Sequence, residues 1–528
     1  MDKSLPIPMV DTAGDLCSVK AKISAIEANT KTDVMSRIYS YSCNNESPSA
    51  EETASFMIHR ATLEKAIDDA NELQRRLSAH KEALDFALSP IRRIPNELLG
   101  YIFECCVAAE SFRCPDMHPA SSPWLLACVC RKWRTVSTTI SGLWSAFNIL
   151  GARRTRLEKR TSAVVRMLNL SKQQPLDIEF GRDVYCHNDQ FEMDIITLLS
   201  ESAVASRIRS LVISSVPRVI RAMSSAVLPS LEKLDIDLAR SNADAEQESL
   251  EPIAFNDVPN LRRYKEDDYH DSREINLPWA QLTHIQLGYR RCVYVEKLRD
   301  VEVLILGGRD LQFAGSRPGR PVVLPRLRCL EVAQVHPGQL ANKRILPRIF
   351  EGFNMPNLEE LKIRIIALEL NNSMTALFAG VSRITSFTLG YWPGASPDVN
   401  FQGKSDRVLD VLRSMPQLLF LQIEAVYYGH DVARVMVGLA DNVPTIAPKL
   451  AQLRFPDSTL YEPGPGMDAL CKLVSSRMAT PGAAPLREVR LYIGMDAIAI
   501  PIGKRESRIH EIDPALRFGA ASKVEDWF

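Results

Sequence analysis

Residues 228–236 read LPSLEKLDI and residues 355–363 read MPNLEELKI, and the same order of apolar, Pro, any, Leu, two variable residues, then two apolar residues around a middle one returns along the chain. Further copies are VPNLRRYKE from Val258, LPWAQLTHIQL from Leu277, LPRLRCLEV from Leu324, MPQLLFLQI from Met415 and APKLAQLRF from Ala447, with looser ones at Ser206, Arg299, Val381 and Ala484. Their first core positions are Ile208, Leu231, Leu261, Leu282, Val301, Leu327, Leu358, Ile384, Leu418, Leu450 and Leu486, in steps of 19 to 36 residues. Self-similarity at such a period is the mark of a stacked array. A strand with alternating leucines cannot bury its apolar face alone, so neighbouring copies stack into a curved parallel sheet with helices outside. Residues 405–415, 432–442 and 467–477 carry apolar stripes of helical spacing and supply such helices.

The shorter steps resemble leucine-rich repeats, which implies an α/β solenoid over residues 151–500, opened by the alternating strand from Pro175 and closed by a cap or tail over 501–528. In each Leu-x-Leu the middle residue points away from the core. These residues are Val212, Asp235, Lys265, Gln286, Ile305, Glu331, Lys362, Thr388, Gln422, Arg454 and Arg490. Lys362, Arg454 and Arg490, joined by Arg364 two residues along its strand, place cations on the later part of this face, and Arg binds carboxylate or phosphate in bidentate fashion. They are the expected target-binding residues. The acidic stretches 244–251 and 266–274, and the Gly- and Arg-rich stretch 307–320, are long loops of the kind that carry binding functions.

Ahead of the array, residues 88–107 read LSPIRRIPNELLGYIFECCV and residues 122–149 read SPWLLACVCRKWRTVSTTISGLWSAFNI. Pro95 pre-sets a helix start, and apolar residues then recur in three- and four-residue steps, as they do again from Leu125 to Val136. The Ile94-Pro95-x-Glu97-Leu98-Leu99-x-x-Ile102-Phe103 opening, the Val129-Cys130-Arg131-x-Trp133 centre and the Leu143-Trp144 close resemble an F-box, as found in F-box proteins of fungal type. Ser137 to Ser141 stands where the family often has a Pro-containing turn. The resemblance covers residues 89–150 and implies an adaptor-binding surface built from Ile94, Pro95, Leu98, Leu99, Ile102, Phe103, Val129 and Trp133. It further implies that a Skp-family adaptor links the chain to cullin and a RING protein.

Residues 1–55 are poor in large apolar groups and read as a disordered tail. Residues 56–88 carry a weak heptad seam, Leu63, Ala66, Ala70, Leu73, Leu77, His80, Leu84 and Ala87, that suits docking on the following module or self-association. The fold class is therefore α+β with a solenoid: a short coiled-coil-like helix, a helical F-box and an irregular leucine-rich-repeat array.

With 64 basic and 64 acidic residues among 528, bulk charge favours neither nucleic acid nor an anionic membrane. No segment is apolar for long enough to span a bilayer, and no leader is apparent, which places the chain in cytosol or nucleus. Eleven dispersed cysteines suit a reducing compartment. Cys105, Cys106, Cys114, His118, Cys128 and Cys130 lack the paired CxxC spacing of a zinc site. No phosphate loop, nucleophile elbow or HExxH is present. The chain is thus expected to be a non-enzymatic substrate receptor without metal or cofactor, binding a protein target. An interaction scaffold acting outside any ligase is the alternative.

Overall fold

The structure is a computed structural model and describes residues 34–44, 47–110, 122–150, 157–181, 189–215, 217–238, 253–268, 275–288, 297–307, 321–333, 345–364, 383–391, 404–425, 429–456, 465–492 and 517–520, together with isolated positions between 14 and 28 and between 513 and 515. The stretches 244–251 and 269–274, most of 307–320 and most of the expected cap over 501–528 lie outside the described residues. The chain divides into two units, Met1–Leu99 and Gly100–Phe528.

In the first unit, helix α1 (Val34–Asn44) precedes helix α2 (Ala50–Leu88). Both α1 and the start of α2 fall in the segment whose composition reads as a disordered tail, and local chemistry explains the difference. The Ser49 hydroxyl accepts from the Glu52 amide at 3.3 Å while the Glu52 carboxylate accepts from the Ser49 amide at 3.0 Å, a reciprocal capping box that starts α2. Tyr41 then donates to the same carboxylate at 2.8 Å and meets Phe56 edge-on at 6.1 Å. Along α2, Leu63, Ala66, Leu73, Leu77 and His80 are half-buried, whereas the expected seam lapses at Ala70, Leu84 and Ala87, which are exposed.

The second unit is mixed α/β. Its 14-stranded sheet contains β1 (Ala146–Leu150), β2 (Leu176–Gly181), β3 (Ile208–Ser215), β4 (Lys233–Leu238), β5 (Arg263–Asp268), β6 (His284–Leu287), β7 (Val303–Gly307), β8 (Cys329–Ala333), β9 (Glu360–Arg364), β10 (Ser386–Tyr391), β11 (Phe420–Ala425), β12 (Gln452–Pro456), β13 (Glu488–Tyr492) and β14 (Arg517–Ala520). Every neighbour in the sheet is the next of these strands in the chain, and every pairing is parallel. Helices such as Asp189–Ser200, Pro217–Ser224, Lys404–Arg413, Gly429–Asp441 and Gly466–Ala479 fall between strands, as parallel crossovers require.

The recurring motif has a simple physical content. Its Pro takes the second position of a tight turn, where its fixed φ fits, and the Leu amide two residues later donates back to the residue before the Pro. That bond recurs from Leu231 to Leu228 at 3.2 Å, from Leu358 to Met355 at 3.3 Å, from Leu418 to Met415 at 3.2 Å and from Leu450 to Ala447 at 3.1 Å. The variable residue after Pro ties one copy to the copy before it: Asn260 donates to the Pro229 carbonyl at 2.7 Å and Asn357 to the Pro325 carbonyl at 2.8 Å. All eleven first core positions are at most 3% exposed. At about 1.5–3 kcal/mol for each large apolar side chain buried, these positions give the array its main cohesion.

The eleven middle residues form one continuous register row, Val212 beside Asp235, then Lys265, Gln286, Ile305, Glu331, Lys362, Thr388, Gln422, Arg454 and Arg490. Asn148 and Glu179 extend the row at its start. At the far end Arg477, 1% exposed, donates to the carbonyls of Ala484, Ala447 and Pro448 at 3.0, 3.2 and 2.9 Å. No carboxylate is among these acceptors, and burial pushes its pKa down to about 10. The guanidinium thereby fastens the turn at Ala447, whose φ of 45° is one a side chain rarely adopts.

Candidate functional site

The residues singled out in the sequence form two sets. The first lies on helices. Helix α3 (Asn96–Glu110) leaves Leu98, Tyr101 and Ile102 on its outside, 58%, 65% and 41% exposed. In the second unit, helix α4 (Trp124–Val129) exposes Leu125 and Val129. Pro95 is exposed and Ile94 half-buried. Leu99 and Phe103 are fully buried, and the Phe103 ring lies 4.9 Å from that of half-buried Trp133. The eight expected adaptor residues therefore separate by role. Pro95, Leu98, Ile102 and Val129 are open to a partner, while Leu99 and Phe103 are core. Tyr101 was not singled out, although its position one turn from Leu98 could have flagged it.

Helix α5 (Arg131–Thr139) starts on Cys130, whose Sγ accepts from the Trp133 amide at 3.5 Å. The segment closes with a single 3-10 turn, Ser141–Trp144, in place of a full third helix. Trp144 is completely buried, donates its Nε1–H to the Ser137 carbonyl at 2.7 Å and stands edge-on to Trp124 at 5.0 Å. Of the cysteine and histidine cluster, Cys114 and His118 lie outside the described residues. Among the described residues no group of three His, Cys, Asp or Glu side chains is placed to hold a metal ion, and no helix is long and apolar enough to cross a membrane.

The second set lies on the polar face of the sheet, and here the cations expected to meet an acidic target are not bare. Arg364 donates to Glu331 at 2.6 Å and to Glu424 at 2.9 and 3.0 Å. Burial works to lower its pKa, but the bonds to Glu424 and Glu331 outweigh that and raise it. Lys362, 9% exposed, sits 3.3 Å from Glu360, and Arg490 donates to Glu488 at 2.7 Å. Arg454 stacks over Phe420 with its guanidinium 5.0 Å from the ring centre. Carboxylates on the same or nearby strands thus neutralise most of the later charge. The middle of the row, Glu331, Lys362, Thr388 and Gln422, is buried.

Gly390 makes this arrangement possible. Arg364 reaches across β10 to Glu424, and a Cβ at position 390 would lie 2.7 Å from Arg364 Cγ and 2.9 Å from Glu424 Oε2. Gly390→Val should therefore push the arginine off its carboxylates and cost about 1–3 kcal/mol, as overpacking does. Urea denaturation checks this, and Arg364→Ala, which removes the Cγ that the added Cβ would meet and frees Glu424 to turn away, should remove most of the effect of the valine.

No protein-family model matches the chain, and comparison with curated proteins finds no match.

What the sequence missed on this face is the balance of charge. The residue just before the second Leu of each copy forms a row of its own, and reading it down the copies gives Ser210, Lys233, Arg263 and His284 in succession. That run is visible in the repeats and sets two neighbouring cations, Lys233 and Arg263, toward the opposite end of the array from the cations expected.

Proposed function

We propose that the chain is the substrate-recognition subunit of an SCF-type ubiquitin ligase. In this reading the segment around α3 to α5 is an F-box that grips a Skp-family adaptor, and the parallel array is a leucine-rich-repeat solenoid that holds a target protein. The observation that carries the reading is the outward face of α3. Leu98 and Ile102, at motif positions, are large apolar residues left in water, while their motif neighbours Leu99 and Phe103 are fully buried. A helix that exposes such residues one turn apart is suited to a partner that covers them. The chain brings no catalytic group of its own; through the adaptor, cullin and a RING protein it supplies proximity between a charged conjugating enzyme and the target. It needs no cofactor, metal, nucleic acid or membrane, and it works in cytoplasm or nucleus.

Affinity purification of the intact chain tests this. Adaptor together with cullin in the eluate is the expected result. Adaptor without cullin favours a scaffold outside any ligase, and absence of the adaptor overturns both.

A further inference from the structure

Residues 88–98 read LSPIRRIPNEL, the stretch that joins helix α2 to helix α3. Pro90 to Arg93 form a single 3-10 turn without a buried residue, closed by the Arg92 amide donating to the Ser89 carbonyl at 3.0 Å. So short a turn has poor hydrogen-bond geometry, and with nothing buried it opens readily. Ser89 ahead of it is extended, with φ −49° and ψ 128°, as the residue before a proline tends to be. Its hydroxyl makes no capping bond to the turn.

An acceptor serine for phosphoryl transfer has to offer a hydroxyl that the fold does not use, on backbone that can lie extended in a kinase cleft. The described residues contain four Ser-Pro or Thr-Pro steps, and they differ in this respect. Ser122 is 2% exposed, and the Thr480 hydroxyl donates to the Ser476 carbonyl at 2.7 Å. Ser47 is exposed, but Pro48, Ser49, Ala50 and Glu51 follow it and bring no cation. Ser89 alone of the four is followed by basic residues, with Arg92 and Arg93 at the third and fourth positions, both exposed. Between Asp85 and Glu97 they are the only charged residues. Pro90 has no amide N–H, so the site suits a kinase whose cleft leaves the position after the acceptor unbonded. Arg92 then offers that enzyme a guanidinium for a carboxylate or phosphate of its own.

The same arginines suit the product. A phosphoserine carries about −1.5 to −2, against +2 from two guanidinium groups. Side chains three apart in a 3-10 turn eclipse, which sets Arg92 on the Ser89 side, and Arg93 follows one residue later.

From the unused hydroxyl, the open turn and the two arginines we infer that Ser89 is a phosphorylation site for a proline-directed protein kinase that reads Arg92, and that the phosphate folds back on Arg92 and Arg93 and fixes the turn leading into α3. The Ser89 Oγ–P bond forms as the bond from the γ-phosphorus of ATP to ADP breaks, and the hydroxyl proton passes to the catalytic aspartate of the kinase. The site holds or fails independently of adaptor binding.

The test treats the full chain with magnesium-ATP and a purified cyclin-dependent protein kinase, a proline-directed enzyme. Mass spectrometry should place a phosphate on Ser89 and none on Ser122 or Thr480. Ser89→Ala should lose it with an unchanged circular dichroism spectrum, and Arg92→Gln should slow its incorporation by about tenfold, the loss of one charge-assisted contact. Phosphorus NMR then follows the second ionisation of the phosphoserine, ordinarily near a pKa of about 6. Neighbouring guanidinium groups favour the dianion, so this pKa should be lower by about 0.5 in the folded chain than in concentrated urea, and Arg93→Gln should move it back toward the urea value. No phosphate on Ser89 of the folded chain, labelling of Ser122 or Thr480 at an equal rate, an Arg92→Gln chain modified at the wild-type rate, or a phosphoserine pKa that neither urea nor Arg93→Gln alters would each overturn the assignment.

Discussion

Replacing Leu98 and Ile102 together by serine should leave the chain folded and abolish capture of a Skp-family adaptor. Both side chains are already in water, 58% and 41% exposed, so their truncation removes little burial within the chain. Serine is a weaker helix former than leucine by only about 0.5 kcal/mol per position, which a 15-residue helix tolerates. At an interface the same truncation removes anchors that contribute about 2 kcal/mol each, so affinity should fall on the order of a hundredfold to a thousandfold. Circular dichroism and the thermal midpoint check the fold, and co-purification reads the effect. Wild-type capture by the folded double variant would remove α3 from the proposed interface. Tyr101→Ser, one turn from Leu98 and 65% exposed, should weaken capture in the same direction.

Trp144→Ala should have the opposite signature, a loss of stability that takes binding with it. The ring is completely buried, packs against Trp124 and gives its only donor to the Ser137 carbonyl. Loss of a buried Trp or Phe side chain costs about 3–5 kcal/mol, comparable to the stability of a small cooperative unit. Trp144→Phe keeps most of the packing and forfeits the hydrogen bond, so it should cost about 1–2 kcal/mol. Urea denaturation of the two variants separates these contributions, and a phenylalanine variant as damaged as the alanine one would mean that the indole bond, not the volume, holds this corner.

The array was legible because its rules are local. A Pro in the second position of a turn and leucines at a spacing of two dictate a strand and its inward face, so Ile208 through Leu486 are buried and the middle residues stand in one row, as the motif alone implies. The same local rules fail where the partner is far along the chain. Arg364 looked like a free cation because Glu424 is sixty residues away, and only the register of β9, β10 and β11, with a glycine between them, brings the two together. Over residues 94–103 the apolar spacing identified the helix but could not say which apolar residues are core. Leu98 and Leu99 are adjacent and chemically identical, yet one is 58% exposed and the other fully buried, because which side of a helix is covered depends on what packs against it. Helix α2 began six residues before its expected start at 56 because a capping box of Ser49 and Glu52 overrides a composition that otherwise reads as unstructured.

The most direct measurement is a titration of the purified full chain with a purified Skp-family adaptor by isothermal calorimetry, repeated with the Leu98→Ser, Ile102→Ser variant. The account predicts a one-to-one complex with a negative heat-capacity change from buried apolar surface, lost in the variant. No heat of binding to the wild-type chain, or an identical titration with the folded variant, would contradict it.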